Sequence, residues 1–110
     1  MPNYFPDPAK AHRRVLAPGV ALNVMWGEKL MLSVVELAAG SEVPMHSHPH
    51  EQAGIVLDGE FTIVIGGERK LLRKGDVYII PGGVEHGIPT LRAAAKALDI
   101  FSPPREEYKP

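Results

Sequence analysis

The sequence predicts an all-β domain folded as a sandwich or barrel, and three observations carry that prediction. Apolar runs are short and bounded by Gly-containing turns, as half-buried strands are. Asp58-Gly59 stands between two such runs and is one of the strongest short hairpin signals, because a primed turn needs residues that tolerate positive φ. Outside residues 91–98, no window combines good helix formers with a cap.

Taken in order, residues 20–26 and 30–37 are apolar strands split by Gly27-Glu28-Lys29. Residues 53–57 and 60–65 flank Asp58-Gly59, and Gly66-Gly67 then turns the chain into a strand over 69–73. Lys74-Gly75-Asp76 turns it into 77–80, and a last strand covers 94–101. The proline-rich ends, residues 2–8 and 103–110, read as arms lying on the surface or on a neighbouring subunit. There are no internal repeats.

A length of 110 residues predicts one domain, residues 1–110, with a barrel core over about 20–102. With 12 basic and 13 acidic side chains the formal charge is −1, which argues against nucleic-acid or membrane-surface partners reached by bulk charge. The pairs Arg69-Lys70 and Arg73-Lys74 read as a solvated face rather than an anion site. Cysteine is absent, so neither a disulfide framework nor a thiolate metal site is expected. The N-terminus has no apolar h-region and no run reaches the roughly 20 residues that span a bilayer, so a cytoplasmic protein is expected.

The stretch over residues 40–59, GSEVPMHSHPHEQAGIVLDG, carries the chemistry. Residues i and i+2 of an extended strand share a face, so His46 and His48 can present two imidazoles to one point. A third is available at His86, after the Pro81-Gly82-Gly83 turn in GDVYIIPGGVEHGIPT. These two segments resemble the paired motifs of the cupin superfamily. Gly40, His46, His48 and Gly59 fall in place in the first motif, with Gln52 where most cupins have Glu. Gly75, Pro81, Gly83 and His86 meet the second, with Thr90 where Asn is usual. The short segment between them, residues 60–74, is typical of compact bacterial members.

The resemblance implies a single-domain cupin jelly-roll β-barrel whose interior has room for one small ligand, favours strand over helix in residues 91–98, and places a divalent transition metal on His46, His48, Gln52 and His86. Imidazoles without partners in an apolar barrel cost on the order of 1–3 kcal/mol each, which a metal resolves. The alternative is a metal-free cupin with hydrogen-bonded core histidines. A neutral amide in place of a carboxylate leaves the full charge on the ion, which makes a stronger Lewis acid and favours an anionic substrate. Three nitrogens and one oxygen suit nickel, iron, manganese, cobalt or zinc. Strand alternation sends Glu51 to the opposite face from Gln52. His50 follows the Pro49 turn and reads as a residue of the barrel lip rather than a ligand; His12 receives no role.

HSHPHEQ together with LDIFSPPREEY, residues 98–108, resembles the small cupins of pectin and alginate breakdown known as the KdgF family. That resemblance runs from about residue 30 to 108. It implies conversion of a 4,5-unsaturated monouronate, a small anionic sugar, toward the linear 5-keto-4-deoxyuronate. Asp99 and Phe101 share a strand face, and a carboxylate in that apolar setting is costly unless paired or chemically used. Asp99 is then the general acid/base, moving a proton as the enol ether is hydrated and the hemiacetal opens. Phe101 walls the sugar ring and Arg105 clamps the uronate carboxylate. The alternatives are an Asp99 paired with Lys96 or a turn amide, an ordinary core Phe101, and an Arg105 at the surface or a subunit contact. For the whole protein they are a sugar-acid-binding cupin without turnover and an iron-dependent dioxygenase. Apolar residues on both faces of 30–37, with the resemblance, predict a homodimer.

Overall fold

Alternating polarity, cut by glycine turns, folds the chain into ten strands, seen in a computed structural model that describes residues 3–110. Pro2, at the head of the expected N-terminal arm, lies outside the described residues, as does Met1. The strands are β1 (His12–Ala17), β2 (Val20–Trp26), β3 (Met31–Leu37), β4 (Val43–His46), β5 (Glu51–Asp58), β6 (Glu60–Ile65), β7 (Glu68–Arg73), β8 (Val77–Ile80), β9 (His86–Ile88) and β10 (Ala95–Ser102). Short 3₁₀ turns occupy Pro8–Lys10 and Glu106–Tyr108. Among the described residues no helix is long and apolar enough to cross a membrane.

The expected strands over 20–26, 60–65 and 77–80 form with those bounds. Gly59 turns between β5 and β6 at φ +72°, where a Cβ would also meet the Ala94 carbonyl oxygen at 2.6 Å. The strands pair antiparallel into a 6-stranded sheet, ordered β1-β2-β3-β10-β5-β8, and a 4-stranded sheet, ordered β4-β9-β6-β7. On β3 the inward set is Met31, Ser33, Val35 and Leu37; on β10 it is Ala95, Ala97, Asp99 and Phe101. Phe61, Ile63 and Leu72 of the smaller sheet complete the same core. The expected barrel is thus two facing sheets, and among the described residues no strand pairing closes them into one hydrogen-bonded cylinder.

Two expectations about the ends are corrected. β1 pairs with β2, His12 opposite Val24, so the larger sheet begins well before residue 20. The tail is no outlying arm: Pro104, Arg105 and Tyr108 are buried, and Tyr108 belongs to the core cluster. Burying one aromatic ring there stabilises the tail by roughly 2 kcal/mol. The basic cluster on β7 is exposed as expected, Arg73 lying 3.3 Å from Glu60.

Strand register sets one row of inward positions across the larger sheet. Val24 on β2 faces Ser33 on β3, which faces Asp99 on β10; Asp99 faces Gly54 on β5, and Gly54 faces Tyr78 on β8. Ser33, Asp99, Gly54 and Tyr78 are thus four consecutive polar or glycine positions in a core otherwise dominated by Val, Leu and Ile.

Candidate metal centre

The smaller sheet and its loops carry the imidazoles. His46 ends β4 and pairs in register with His86 at the start of β9. His48 lies past the end of β4, in the loop to β5, so the two histidines of the HSH triplet converge through a turn as well as by strand parity. One ring nitrogen from each of His46, His48 and His86 lies within 4.8 Å of the others.

Each ring is held by a backbone carbonyl two residues away. His46 Nδ1 donates to Pro44 O at 2.9 Å, His48 Nδ1 to His50 O at 3.1 Å, and His86 Nδ1 to Val84 O at 2.9 Å. A carbonyl can only accept, so a proton sits on each Nδ1, and in the neutral tautomer this leaves Nε2 free as an acceptor. His86 Nε2 is buried with no hydrogen-bond partner. Burial, reinforced by the Arg105 charge, pushes the His48 imidazole down to about 4, and burial likewise lowers His86.

Gln52, buried on β5, completes the geometry from the larger sheet. Its Oε1 lies 3.1 Å from His48 Nε2. With His48 neutral and protonated on Nδ1, that contact sets two acceptors face to face, an arrangement a cation between them relieves. Three imidazole nitrogens, one of them orphaned, converge closely enough to hold a metal ion, with the Gln52 amide oxygen beside one of them. Glu51 is exposed on the opposite face, as alternation predicts. His50 supplies the carbonyl that orients His48.

The site opens on a cavity of about 420 Å³ between the sheets, with His46, His86, Gln52, Asp99, Phe101 and Arg105 in its wall. Asp99 is buried and accepts a short hydrogen bond from the Tyr78 hydroxyl. Burial raises its carboxyl to about 6, while hydrogen bonds from Tyr78 and Gln52 pull the other way. Burial and the neighbouring carboxylate keep the Tyr78 phenol protonated throughout the ordinary pH range. Lys96, the alternative partner for Asp99, is exposed on the other face of β10. The Phe101 ring lies 5.8 Å from that of His48, and the Arg105 guanidinium lies 5.2 Å from the Phe101 centroid and 4.4 Å from that of Tyr108.

All seven residues singled out from the sequence therefore lie in or beside one cavity. Tyr78, Tyr108 and Glu107 were missed. Tyr78 had one readable signal, the isolated Gly54 inside β5, which marks close approach by another group. A Cβ at Gly54 would coincide with the Tyr78 phenol, so the missing side chain is what lets Tyr78 lie across β5 and reach Asp99.

Comparison with known proteins agrees with this geometry. Residues 33–101 match the cupin domain family. The chain is 34% identical to the pectin degradation protein KdgF of Dickeya dadantii over 86 residues, covering 77% of this chain and 78% of that one. Its backbone superposes on KdgF from a Halomonas species with a TM-score of 0.87 at 26% identity, covering 99% of this chain and all of the other. It superposes on an RmlC-like cupin from Shewanella frigidimarina with a TM-score of 0.89 at 27% identity, covering 98% and 97% of the two chains. With the family match over residues 33–101 and the two KdgF proteins among its relatives, the chain belongs to the cupin family, among members similar to KdgF.

Proposed function

We propose that the protein is a metal-dependent enzyme that opens the ring of a 4,5-unsaturated monouronate, giving the linear 5-keto-4-deoxyuronate in pectin or alginate breakdown. The observation that carries this reading is the convergence of three freed imidazole nitrogens on a cavity that also holds one buried carboxylate and one buried guanidinium. Similarity to KdgF supplies the substrate class. A divalent transition ion, of nickel, iron, manganese, cobalt or zinc, held by His46, His48, His86 and Gln52, would supply Lewis-acid polarisation of substrate oxygens.

The chain's own residues do the rest. Arg105 receives the uronate carboxylate. Phe101 packs against the ring and keeps water from that side. Asp99 takes the proton of the anomeric hydroxyl as the C1–O5 bond breaks, and returns one to C4 as the enol becomes the 5-ketone. Atoms balance without a second reactant. Tyr78 holds Asp99 in place through the hydrogen bond its phenol keeps at all working pH values.

The test mixes metal-loaded protein with the monouronate that a pectate or alginate lyase releases, and follows the ultraviolet absorbance of the conjugated double bond. Faster loss than in a blank is expected; loss at the blank rate sinks the proposal. Oxygen uptake coupled to substrate loss selects the dioxygenase alternative, and saturable binding without product by NMR selects the binding module. We take residues 1–110 as one cytoplasmic cupin domain of jelly-roll connectivity that pairs as a homodimer. Val77 and Ile79, each 67% exposed on the outward face of β8, support the dimer as surface that a second copy would cover.

A further inference from the structure

We infer that Glu107 is a positioning residue: it pins Arg105 by one nitrogen so that the two terminal nitrogens of the guanidinium face the cavity and receive the carboxylate of the bound acid. This deepens the reading above and rests on it. Arg105 Nε donates to Glu107 Oε1 at 2.6 Å. That single bond uses the inner nitrogen and leaves the Nη pair, which can meet a carboxylate with two parallel hydrogen bonds. The head group is held from two further sides, Cζ lying 5.2 Å from the Phe101 ring centroid and 4.4 Å from that of Tyr108. With two rings confining it and one carboxylate fixing its rotation, the side chain has little freedom left to lose when a ligand arrives.

Burial decides whether Glu107 aims Arg105 or competes with the ligand for it. A chain carboxylate that filled the anion site would face the cavity. Arg105 and Tyr108 line the cavity and Glu107 does not. The Glu107 side chain is 51% exposed and that of Arg105 only 10%, so the ion pair is made on the solvent side. The Glu106–Tyr108 turn that brings Glu107 there is closed by the Tyr108 N–H donating to Arg105 O at 3.0 Å, and Tyr108 is anchored in the core. Within the SPPREEY stretch, the second glutamate thus acts through the arginine and Tyr108 through its ring.

The test is calorimetric titration of metal-loaded protein with D-galacturonate, with D-galactose as the uncharged control, on wild type, Glu107→Ala and Glu107→Gln. Glu107→Ala is expected to weaken galacturonate binding about three- to tenfold, the cost of re-immobilising one long side chain on binding, and to leave galactose unchanged. Glu107→Gln, whose amide oxygen still accepts from Nε, is expected to recover most of the loss. With the unsaturated uronate, KM should rise by the same factor while kcat holds, a split that a merely structural role would not produce. Equal or tighter galacturonate binding by Glu107→Ala, with wild type binding normally, overturns this inference alone. A wild type that takes up neither sugar overturns the sugar-acid reading and this inference with it.

Discussion

Replacing Gly54 by alanine probes the row that joins Ser33, Asp99, Gly54 and Tyr78. The new methyl would occupy the space of the Tyr78 phenol, and the Gly54 backbone does not itself forbid a side chain, since its φ is not positive. Overpacking of this kind costs roughly 1–3 kcal/mol. If the phenol is displaced, the Asp99 carboxylate also loses a buried hydrogen bond, worth on the order of 1.5–3 kcal/mol. Reduced backbone entropy of the unfolded chain returns about 0.5–1 kcal/mol. The net expectation is a loss of about 2–5 kcal/mol, or a fall in Tm on the order of 10 °C for a chain this size. Equilibrium urea unfolding, followed by circular dichroism in chelator and at fixed protein concentration, measures it. Repeating the substitution in a Tyr78→Ala background removes the ring that the methyl meets, and there Gly54→Ala should be neutral or mildly stabilising. A Gly54→Ala protein within about 0.5 kcal/mol of wild type, or an equal cost in both backgrounds, refutes the reasoning.

Asp99→Asn should keep its metal and lose turnover; unchanged turnover removes Asp99 from the mechanism. The same variant should be more stable than wild type at neutral pH, by on the order of 2 kcal/mol, because burial raises the Asp99 carboxyl from 3.8 to about 6 and so disfavours its charged form in the folded state. In metal-free protein His48 gives the opposite pH slope: burial lowers it from 6.5 to about 4, so its contribution is complete above pH 6.5 and is lost as pH falls toward 4. Acid titration of stability in the Asp99→Asn background exposes that slope, and His48→Gln should reduce it, leaving the same-signed part that His86 contributes. Adding nickel or zinc at about 100 times its Kd to chelated protein should raise stability by about 2.7 kcal/mol. His86→Ala should abolish that increment, and an undiminished rise would take His86 out of the ligand set.

Much of this was legible because strand alternation is strict where one face is buried. Parity alone sends Asp99 and Phe101 inward and Glu51 outward, and β3 and β10 keep that pattern along their length. β1 was missed because most of its residues are exposed and two are arginines, so no apolar period announces it. β4 contains Pro44, and β9 is three residues long, too short for a period. The tail reads as an arm because PPREEY is polar. Its burial depends on Arg105 lying against Phe101 and Tyr108, a contact across the fold that spacing does not encode. The Tyr78–Asp99 bond is equally non-local, joining β8 and β10 across the width of β5.

The carbonyl tethers on the three imidazoles come from Pro44, His50 and Val84, all within two residues of the ring they hold. The aim of the three imidazoles therefore depends mainly on short local segments and hardly at all on what fills positions 33 and 35 opposite. Those positions can be randomised in a library, and the three rings should keep their aim. If the proposed function holds, the choice of small acid should be open to change at those positions of the facing wall.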